Sequence, residues 1–220
     1  MDDFAPHPSS GIPRRPVKGR GAAGNVAHRF SVETRQAEDD GWEPAAPPNP
    51  KTRLLVDRAK SIISRNDSPD IGFDQSINPY RGCEHGCVYC YARPTHAYLG
   101  LSPGLDFETQ IFIKPDAPRL LREELGRPDY VCSVIALGTA TDVYQPFERK
   151  EKLTRRLLEI FLETRHPLSV VTKSSLIVRD IDLWAKLAEN RLAHVGVSLT
   201  TLDAALARQL EPRSSAPQAR

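Results

Sequence analysis

Three of the four cysteines stand close together, as Cys83, Cys87 and Cys90 in a Cys-x3-Cys-x2-Cys spacing. Three thiolates within eight residues can hold one cluster, and Gly82 and Gly86 let the chain between them turn tightly. An ordinary [4Fe–4S] cluster takes four cysteines. Three cysteines leave one iron without a protein ligand, so the spacing predicts an open cluster that can bind a substrate or a cofactor.

A structural zinc site is the alternative interpretation, with His85 or His96 as the fourth ligand. Structural zinc sites usually combine two Cys-x2-Cys pairs, and the sequence holds no second pair. The spacing therefore favours a cluster, and His85 is expected to be a surface residue of the loop. Cys132 lies in a separate apolar stretch and is expected to be a buried structural thiol.

The elements around the cysteines follow an alternating pattern of strands and helices. Residues 131–137 and 168–172 are continuous apolar runs, which are typical of buried parallel strands. Residues 151–165 carry apolar side chains at helical spacing. The other predicted elements are extended segments at 73–80, 107–113 and 194–199 and helices at 116–125, at 182–190 and from 203 onward. This alternation predicts an α/β fold of parallel βα units.

Polar side chains gather where the predicted parallel strands end. They are Thr139, Thr141, Asp142, Lys173, Ser174, Ser198 and Thr200. In parallel α/β folds, ligands bind at the carboxyl ends of the strands. These residues are therefore predicted to form a ligand-binding rim, although a solvent-facing strand end explains Lys173 equally well.

Composition separates an N-terminal leader from the rest of the chain. Residues 1–50 hold eight of the nineteen prolines and are predicted to be disordered, while residues 51–220 form the core domain. The net charge of +2 neither requires nor excludes a nucleic-acid partner. No secretory signal and no run of apolar residues long enough to span a membrane is visible, so a cytoplasmic protein without a membrane partner is expected.

The cysteine loop resembles the signature of the radical S-adenosylmethionine (radical SAM) superfamily, in which an aromatic residue precedes the last cysteine. Tyr89 holds that position. The surrounding residues 78–93 resemble the branch related to spore photoproduct lyase. The resemblance implies a partial (β/α) TIM-type barrel, of which about four βα units are present. Because such barrels have about six strands, the chain is expected to be truncated at its C-terminus.

The resemblance also implies the cofactors and their ligands. Cys83, Cys87 and Cys90 would hold a [4Fe–4S] cluster whose fourth iron chelates S-adenosyl-L-methionine, and one electron would then release a 5′-deoxyadenosyl radical that abstracts hydrogen from a substrate. The expected contacts to S-adenosylmethionine involve six residues. Tyr89 would pack beside the adenine, Thr139, Thr141 and Asp142 would lie near the methionine amino group, and Lys173, with Ser198, would lie near the carboxylate.

Partners and reaction follow less directly from the resemblance. The implied activity is that of a lyase-like enzyme, reduced by a donor such as a flavodoxin or ferredoxin, with a nucleic-acid substrate possible. Spore photoproduct lyase uses a hydrogen-donating cysteine at the end of the second barrel strand, whereas residues 137–142 contain none. The alternative from another class is a non-catalytic iron–sulfur or zinc module that contacts nucleic acid.

Overall fold

The computed structural model describes residues 17–31 and 50–220. Two sheets and their covering helices make up this part of the chain. Its strands are β1 (Arg53–Val56), β2 (Ile63–Arg65), β3 (Gln75–Ile77), β4 (Tyr80–Arg81), β5 (Gln110–Ile113), β6 (Ile135–Leu137), β7 (Leu168–Thr172) and β8 (Ala193–Val197). Its α-helices are α1 (Leu105–Thr109), α2 (Ala117–Leu125), α3 (Glu148–Glu151), α4 (Leu153–Glu163), α5 (Ile181–Glu189) and α6 (Ala204–Leu210). Short 3-10 helices span Arg93–Leu99, Ser175–Asp180 and Pro217–Ala219.

The larger sheet has the strand order β2-β3-β6-β7-β8. Strands β3, β6, β7 and β8 are parallel, while β2 pairs antiparallel with β3 at one edge. Helices α3 and α4 connect β6 to β7, and α5 connects β7 to β8. The α/β class and the four parallel strands of the predicted partial barrel are therefore confirmed.

A smaller sheet of order β1-β5-β4 stands beside the larger one and leads into the cysteine loop. Strand β4 pairs antiparallel with β5, so that Tyr80 lies opposite Ile113. Residues 107–109, which were predicted as the start of an extended segment over 107–113, belong to α1 instead. Strand formation begins only at Gln110, and the cysteine loop follows β4 by a single residue.

Apolar side chains of the strands and helices form one principal core. Helix α4 buries Leu157, Leu158 and Phe161 on one face, as its helical spacing predicted. Helix α5 buries Leu183, Trp184 and Leu187 against the same core. Each such side chain contributes about 1.5–3 kcal/mol on burial. This core fixes the parallel strands, whose carboxyl ends carry the predicted rim.

The strand predicted at 131–137 is shorter than its apolar run. It forms only from Ile135, which pairs with Gln75 on one side and Leu168 on the other. Pro167 lacks an amide hydrogen and cannot extend the ladder beyond Leu168 as a donor. Residues 131–134 therefore run outside the sheet, and Cys132 is exposed. The prediction of a buried structural thiol is wrong.

Residues 17–31 differ from the predicted disordered leader, because they hydrogen-bond to the core. The Arg20 guanidinium donates to the Glu108 carbonyl oxygen at 2.9 Å and to the Thr52 hydroxyl at 2.8 Å. The Val26 amide donates to the Ser102 hydroxyl at 2.8 Å. The prediction for residues 1–16 and 32–49 lies outside the described residues. Within the described ranges, no helix is long and apolar enough to cross a bilayer.

Candidate cofactor site

The cysteine loop begins at Gly82, in a conformation that only glycine adopts easily. Its φ is +80°, and a Cβ at this position would lie 2.8 Å from the Phe107 carbonyl oxygen. The same carbonyl accepts a hydrogen bond from the Cys83 amide at 3.0 Å. Cys83 and Cys87 are buried and Cys90 is half-buried, and none of them forms a disulfide. The loop therefore presents three free thiols.

Arg93 and Glu108 hold the outer side of the loop. The Arg93 guanidinium donates to the carbonyl oxygens of Gly86 and Cys87, at 3.1 and 3.0 Å, and to the Glu108 carboxylate at 2.6 Å. Glu108 is fully buried and also accepts the amides of Gly21 and Ala22 at 3.0 and 2.9 Å. One buried carboxylate thus ties the loop, α1 and the N-terminal segment together. The sequence analysis did not identify either residue.

Residues 144–148, which follow β6, hold the loop from another direction. The Gln145 side chain accepts the Glu84 amide at 2.9 Å and donates to the Thr141 hydroxyl at 3.2 Å. The Glu148 carboxylate is buried and accepts the Tyr80 hydroxyl at 2.6 Å. The sequence did not predict a role for these residues, because polar and charged residues are common on both sides of them. They anchor the chain on both sides of Cys83.

His85 is buried, with 2 % of its surface exposed, so the prediction of a surface residue is wrong. Its Nδ1 lies 3.2 Å from the Asp142 carboxylate. Burial disfavours the imidazolium, but Asp142 and Cys83 outweigh this effect and raise the pKa of His85 to about 10. Burial likewise opposes ionisation of Asp142, yet His85 and the hydrogen bonds around the carboxylate lower its pKa to about 2. An ion pair therefore joins the loop to the end of β6.

Asp142 also organises the neighbouring strand end. Its carboxylate accepts the Thr172 hydroxyl at 2.7 Å and the Lys173 amide at 2.8 Å. The Thr141 hydroxyl donates to the Gly82 carbonyl oxygen at 2.6 Å. The side chains of Asp142 and Thr141 thus bind the protein's own groups, which identifies both as positioning residues for the loop and for Lys173. Their predicted contact with a methionine amino group stays a prediction.

A cavity of about 180 Å³ lies between the cysteine loop and the ends of β6 and β7. It brings together seven of the nine predicted site residues: Cys83, Cys87, Cys90, Thr139, Thr141, Asp142 and Lys173. Gly138 lines it at a φ of +85°, where a Cβ would come within 2.7 Å of Val143. The chain after β6 therefore turns back so tightly that Val143 leaves no room for a side chain at position 138.

Tyr89 and Ser198 lie outside the cavity lining but join it through Lys173. The Lys173 ammonium donates to the Ser198 hydroxyl at 2.9 Å and lies 5.9 Å from the centroid of the Tyr89 ring. The Tyr89 hydroxyl lies 3.0 Å from the Thr200 hydroxyl and donates to the Glu211 carboxylate. Burial opposes ionisation of Glu211, but hydrogen bonds from Thr200, Tyr89 and Arg220 lower its pKa. Glu211 is a further residue that sequence analysis missed.

The chemistry of the donor set fits an iron–sulfur cluster. Burial raises the pKa of Cys87 to about 12 and also raises that of Cys90, so these thiols ionise only where cations replace their protons. Among residues 17–31 and 50–220, no three His, Cys, Asp or Glu side chains converge on one ion. A cluster does not need such convergence, because each thiolate binds a different iron. Each histidine of the zinc alternative uses one ring nitrogen within the protein: His85 Nδ1 pairs with Asp142, and His96 Nε2 bonds to the Gln110 carbonyl, while His96 Nδ1 is buried without a hydrogen-bond partner in the described part of the chain.

Comparison with solved structures places the fold among known enzymes. Spore photoproduct lyase complexed with dinucleoside spore photoproduct matches with a TM-score of 0.55 and 18% identity, over 76% of this chain and 45% of that chain. A mutant of the same lyase matches with a TM-score of 0.54 and 19% identity, over the same shares. At these identities the likeness concerns the fold.

Sequence comparison identifies relatives and a family. An uncharacterized protein of Mycobacterium tuberculosis is 43% identical over 67% of this chain, and one of Methanocaldococcus jannaschii is 29% identical over 78%. The chain spans 44% and 61% of these relatives' lengths. The sequence profile of the Radical SAM superfamily matches residues 77–219, which include the cysteine loop and the parallel strands β6, β7 and β8. The chain therefore belongs to the radical SAM superfamily.

Proposed function

We propose that this protein binds a [4Fe–4S] cluster through Cys83, Cys87 and Cys90 and reductively cleaves S-adenosylmethionine. The observation that carries the proposal is the single cavity that collects the three free thiols and Lys173 between the cysteine loop and the strand ends. When bound, the cluster and S-adenosylmethionine supply a 5′-deoxyadenosyl radical that abstracts a hydrogen atom from a substrate. The superfamily membership supports the same activity.

Lys173 is the cation that we assign to the methionine carboxylate. Its ammonium is available at the cavity wall, and Asp142 fixes the backbone from which it extends through the Lys173 amide. An ammonium beside a carboxylate forms a charge-assisted hydrogen bond. Ser198, which already bonds to this ammonium, holds it in place.

Tyr89 and Thr139 are assigned to the remaining parts of the cofactor. The Tyr89 ring is half-exposed and offers a face for the adenine, while its hydroxyl is held by Thr200 and Glu211. Thr139 lies at the end of β6, where its hydroxyl accepts the Asn78 amide at 3.0 Å. We place the methionine amino group near Thr139, because a hydroxyl oxygen has two lone pairs and can accept a second donor beside the Asn78 amide.

The proposal includes a reducing, cytoplasmic location. Three free thiols on one loop persist as cluster ligands only where disulfides do not form. Oxidation of any one of them removes a ligand from the cluster.

The test is anaerobic reconstitution of the full chain with iron and sulfide. A brown protein with an electron paramagnetic resonance signal after dithionite reduction, which forms 5′-deoxyadenosine from S-adenosylmethionine, supports the proposal. The matched control is the triple Cys→Ala variant at positions 83, 87 and 90, which should give neither signal nor product. A colourless protein that takes up zinc and leaves S-adenosylmethionine intact would instead support the non-catalytic module.

A further inference from the structure

A second cavity adjoins the cysteine loop at Glu84, and its lining is strongly basic. Five cationic side chains contribute to this lining: Lys18, Arg20, Lys51, Arg208 and Arg213. Glu84 is the one acidic residue among the lining side chains. The surplus of positive charge is local, because the whole chain carries a net charge of only +2. We call this feature the basic cavity.

The basic cavity and the cofactor cavity meet at the same turn of the loop. Cys83 and His85 line the cofactor cavity, whereas Glu84 between them lines the basic cavity. The two cavities share no lining residue. Glu84 is buried, and its amide is fixed by Gln145. The floor of the basic cavity is therefore one residue away from a proposed cluster ligand.

Among the residues that the structure describes, carboxylates neutralise only part of the positive charge of the basic cavity. Arg213 lies 3.3 Å from the Glu84 carboxylate, and Arg20 donates to backbone carbonyls and to Thr52. Burial lowers the pKa of Arg20, and the charge of Arg213 lowers it further, as expected for crowded cations. Lys18 and Lys51 are exposed at the surface. An acidic partner would relieve this repulsion.

We propose that the basic cavity docks an acidic electron-carrier protein that reduces the cluster by one electron. The proposal rests on the proposed function, because it assigns the entry point for the electron which that function requires. The reduced carrier loses one electron and the oxidised cluster gains it, so no bond forms or breaks at this step. The carrier then leaves in its oxidised state.

The position of the basic cavity favours an electron donor over a nucleic-acid substrate. Hydrogen abstraction requires the substrate to touch the reacting group, which the proposed function places in the cofactor cavity. A molecule seated in the basic cavity contacts none of the residues that line the cofactor cavity. Electron transfer does not require contact and can cross the thin wall around Glu84. Nucleic-acid binding at this face is therefore treated as an outcome that would contradict the proposal.

The experiment compares two doubly substituted full-length chains. The test variant is Lys18→Glu with Lys51→Glu, both exposed on the basic cavity. The control is Lys60→Glu with Lys186→Glu, which makes the same change in net charge at exposed lysines outside that lining. An acidic flavodoxin is the probe, and its dissociation constant is measured by calorimetry at low and at high salt.

We expect the test variant to raise the dissociation constant for flavodoxin about tenfold or more at low salt, and the control to change it far less. High salt should remove most of the difference. Flavodoxin-driven formation of 5′-deoxyadenosine should fall, while iron content and dithionite-driven formation stay unchanged. Equal effects of the two variants, or none, would overturn the proposal.

A parallel titration with single-stranded oligothymidine tests whether the basic cavity binds nucleic acid instead of the electron carrier. Loss of oligothymidine binding in the test variant, with flavodoxin binding intact, would assign the basic cavity to nucleic acid and overturn the proposal. Failure of the proposed function has a different signature. The wild-type chain would then form no 5′-deoxyadenosine even with dithionite, whereas failure of docking leaves that reaction intact.

Discussion

The two sides of the cysteine loop are built from different kinds of contact. On the outer side, the Arg93 guanidinium and the Glu108 carboxylate bond to each other and to backbone groups, and both are well buried. On the cavity side, the Lys173 ammonium contacts one hydroxyl and one half-exposed aromatic ring. Arg93 and Glu108 are thus satisfied by the protein, while Lys173 on the rim retains capacity for a ligand.

This difference separates residues that position the site from residues that bind its cofactors. A loop that carries cluster ligands must be held in place before the cluster binds, and many short hydrogen bonds to buried partners achieve this. The rim has to bind and release S-adenosylmethionine in each turnover, so its groups stay partly exposed. Substitutions on the outer side should therefore change stability, and substitutions on the rim should change ligand affinity.

The cysteines themselves should give the largest effect. Cys87→Ala removes a buried ligand from the loop, so we expect nearly complete loss of the cluster after reconstitution. Cys132→Ala should keep its iron and sulfide, because Cys132 is exposed and lies outside the cofactor cavity. Iron and sulfide would be counted in each single variant. Equal loss in both would show that the cluster is not confined to the loop.

Glu108→Gln should remove the ion pair on the outer side of the cysteine loop and leave the rim unchanged. The amide has nearly the shape of the carboxylate but leaves the buried Arg93 charge without its partner, at a cost of about 3–5 kcal/mol in the free energy of unfolding. Urea denaturation of the protein without the cluster measures this cost.

The matched control is Glu123→Gln, which breaks the exposed i,i+4 pair of Arg119 and Glu123 on α2. Exposed pairs of this kind contribute little to stability, because water screens the charges. A loss for Glu108→Gln as small as that of the control would mean that the outer network does not hold the loop.

The sequence predicts the cavity side of the site better than the outer side. The spacing of the three cysteines predicts a cluster site, and the position of Lys173 after an apolar strand predicts a residue of the rim. Strand ends of parallel sheets meet at one edge, so strand order alone brings Lys173 toward Asp142, which its backbone amide contacts. Strands β6 and β7 were predictable because their apolar runs are continuous, whereas β3 and β8 were predictable only as extended segments.

The outer side depends on contacts that no local pattern contains. Glu108 meets Gly21 and Ala22 across a long stretch of chain, and a lone glutamate beside apolar residues gives no sign of such a partner. His85 was misplaced because a histidine between glycine-rich turns suggests exposure, whereas Asp142 compensates the cost of burying it. Cys132 was misplaced because apolar composition does not fix where a strand begins.

Lys173→Ala tests the cavity side directly. Removing one charged hydrogen bond costs roughly 1.5–3 kcal/mol, so the dissociation constant for S-adenosylmethionine should rise about ten- to hundredfold. Iron content should not change, because the residue is not a cluster ligand. Calorimetry on the reconstituted protein measures the affinity, with Lys186→Ala on the exposed face of α5 as the control. Unchanged affinity would leave Lys173 as a solvent-facing strand end.

Tyr89→Phe, a substitution on the rim, should have the smallest effect on S-adenosylmethionine binding. The substitution removes the hydroxyl that bonds to Thr200 and Glu211 but keeps the ring beside the Lys173 ammonium. Because the ring is half-exposed, water can replace part of the lost hydrogen bonds. The free energy of S-adenosylmethionine binding should therefore weaken by about 0.5 kcal/mol, the lower end for a hydrogen bond. If the ring supports the adenine, Tyr89→Ala should weaken S-adenosylmethionine binding clearly more than Tyr89→Phe, as measured by the same calorimetry. Equal weakening by both variants would assign the contribution of Tyr89 to its hydroxyl and contradict the stacking role.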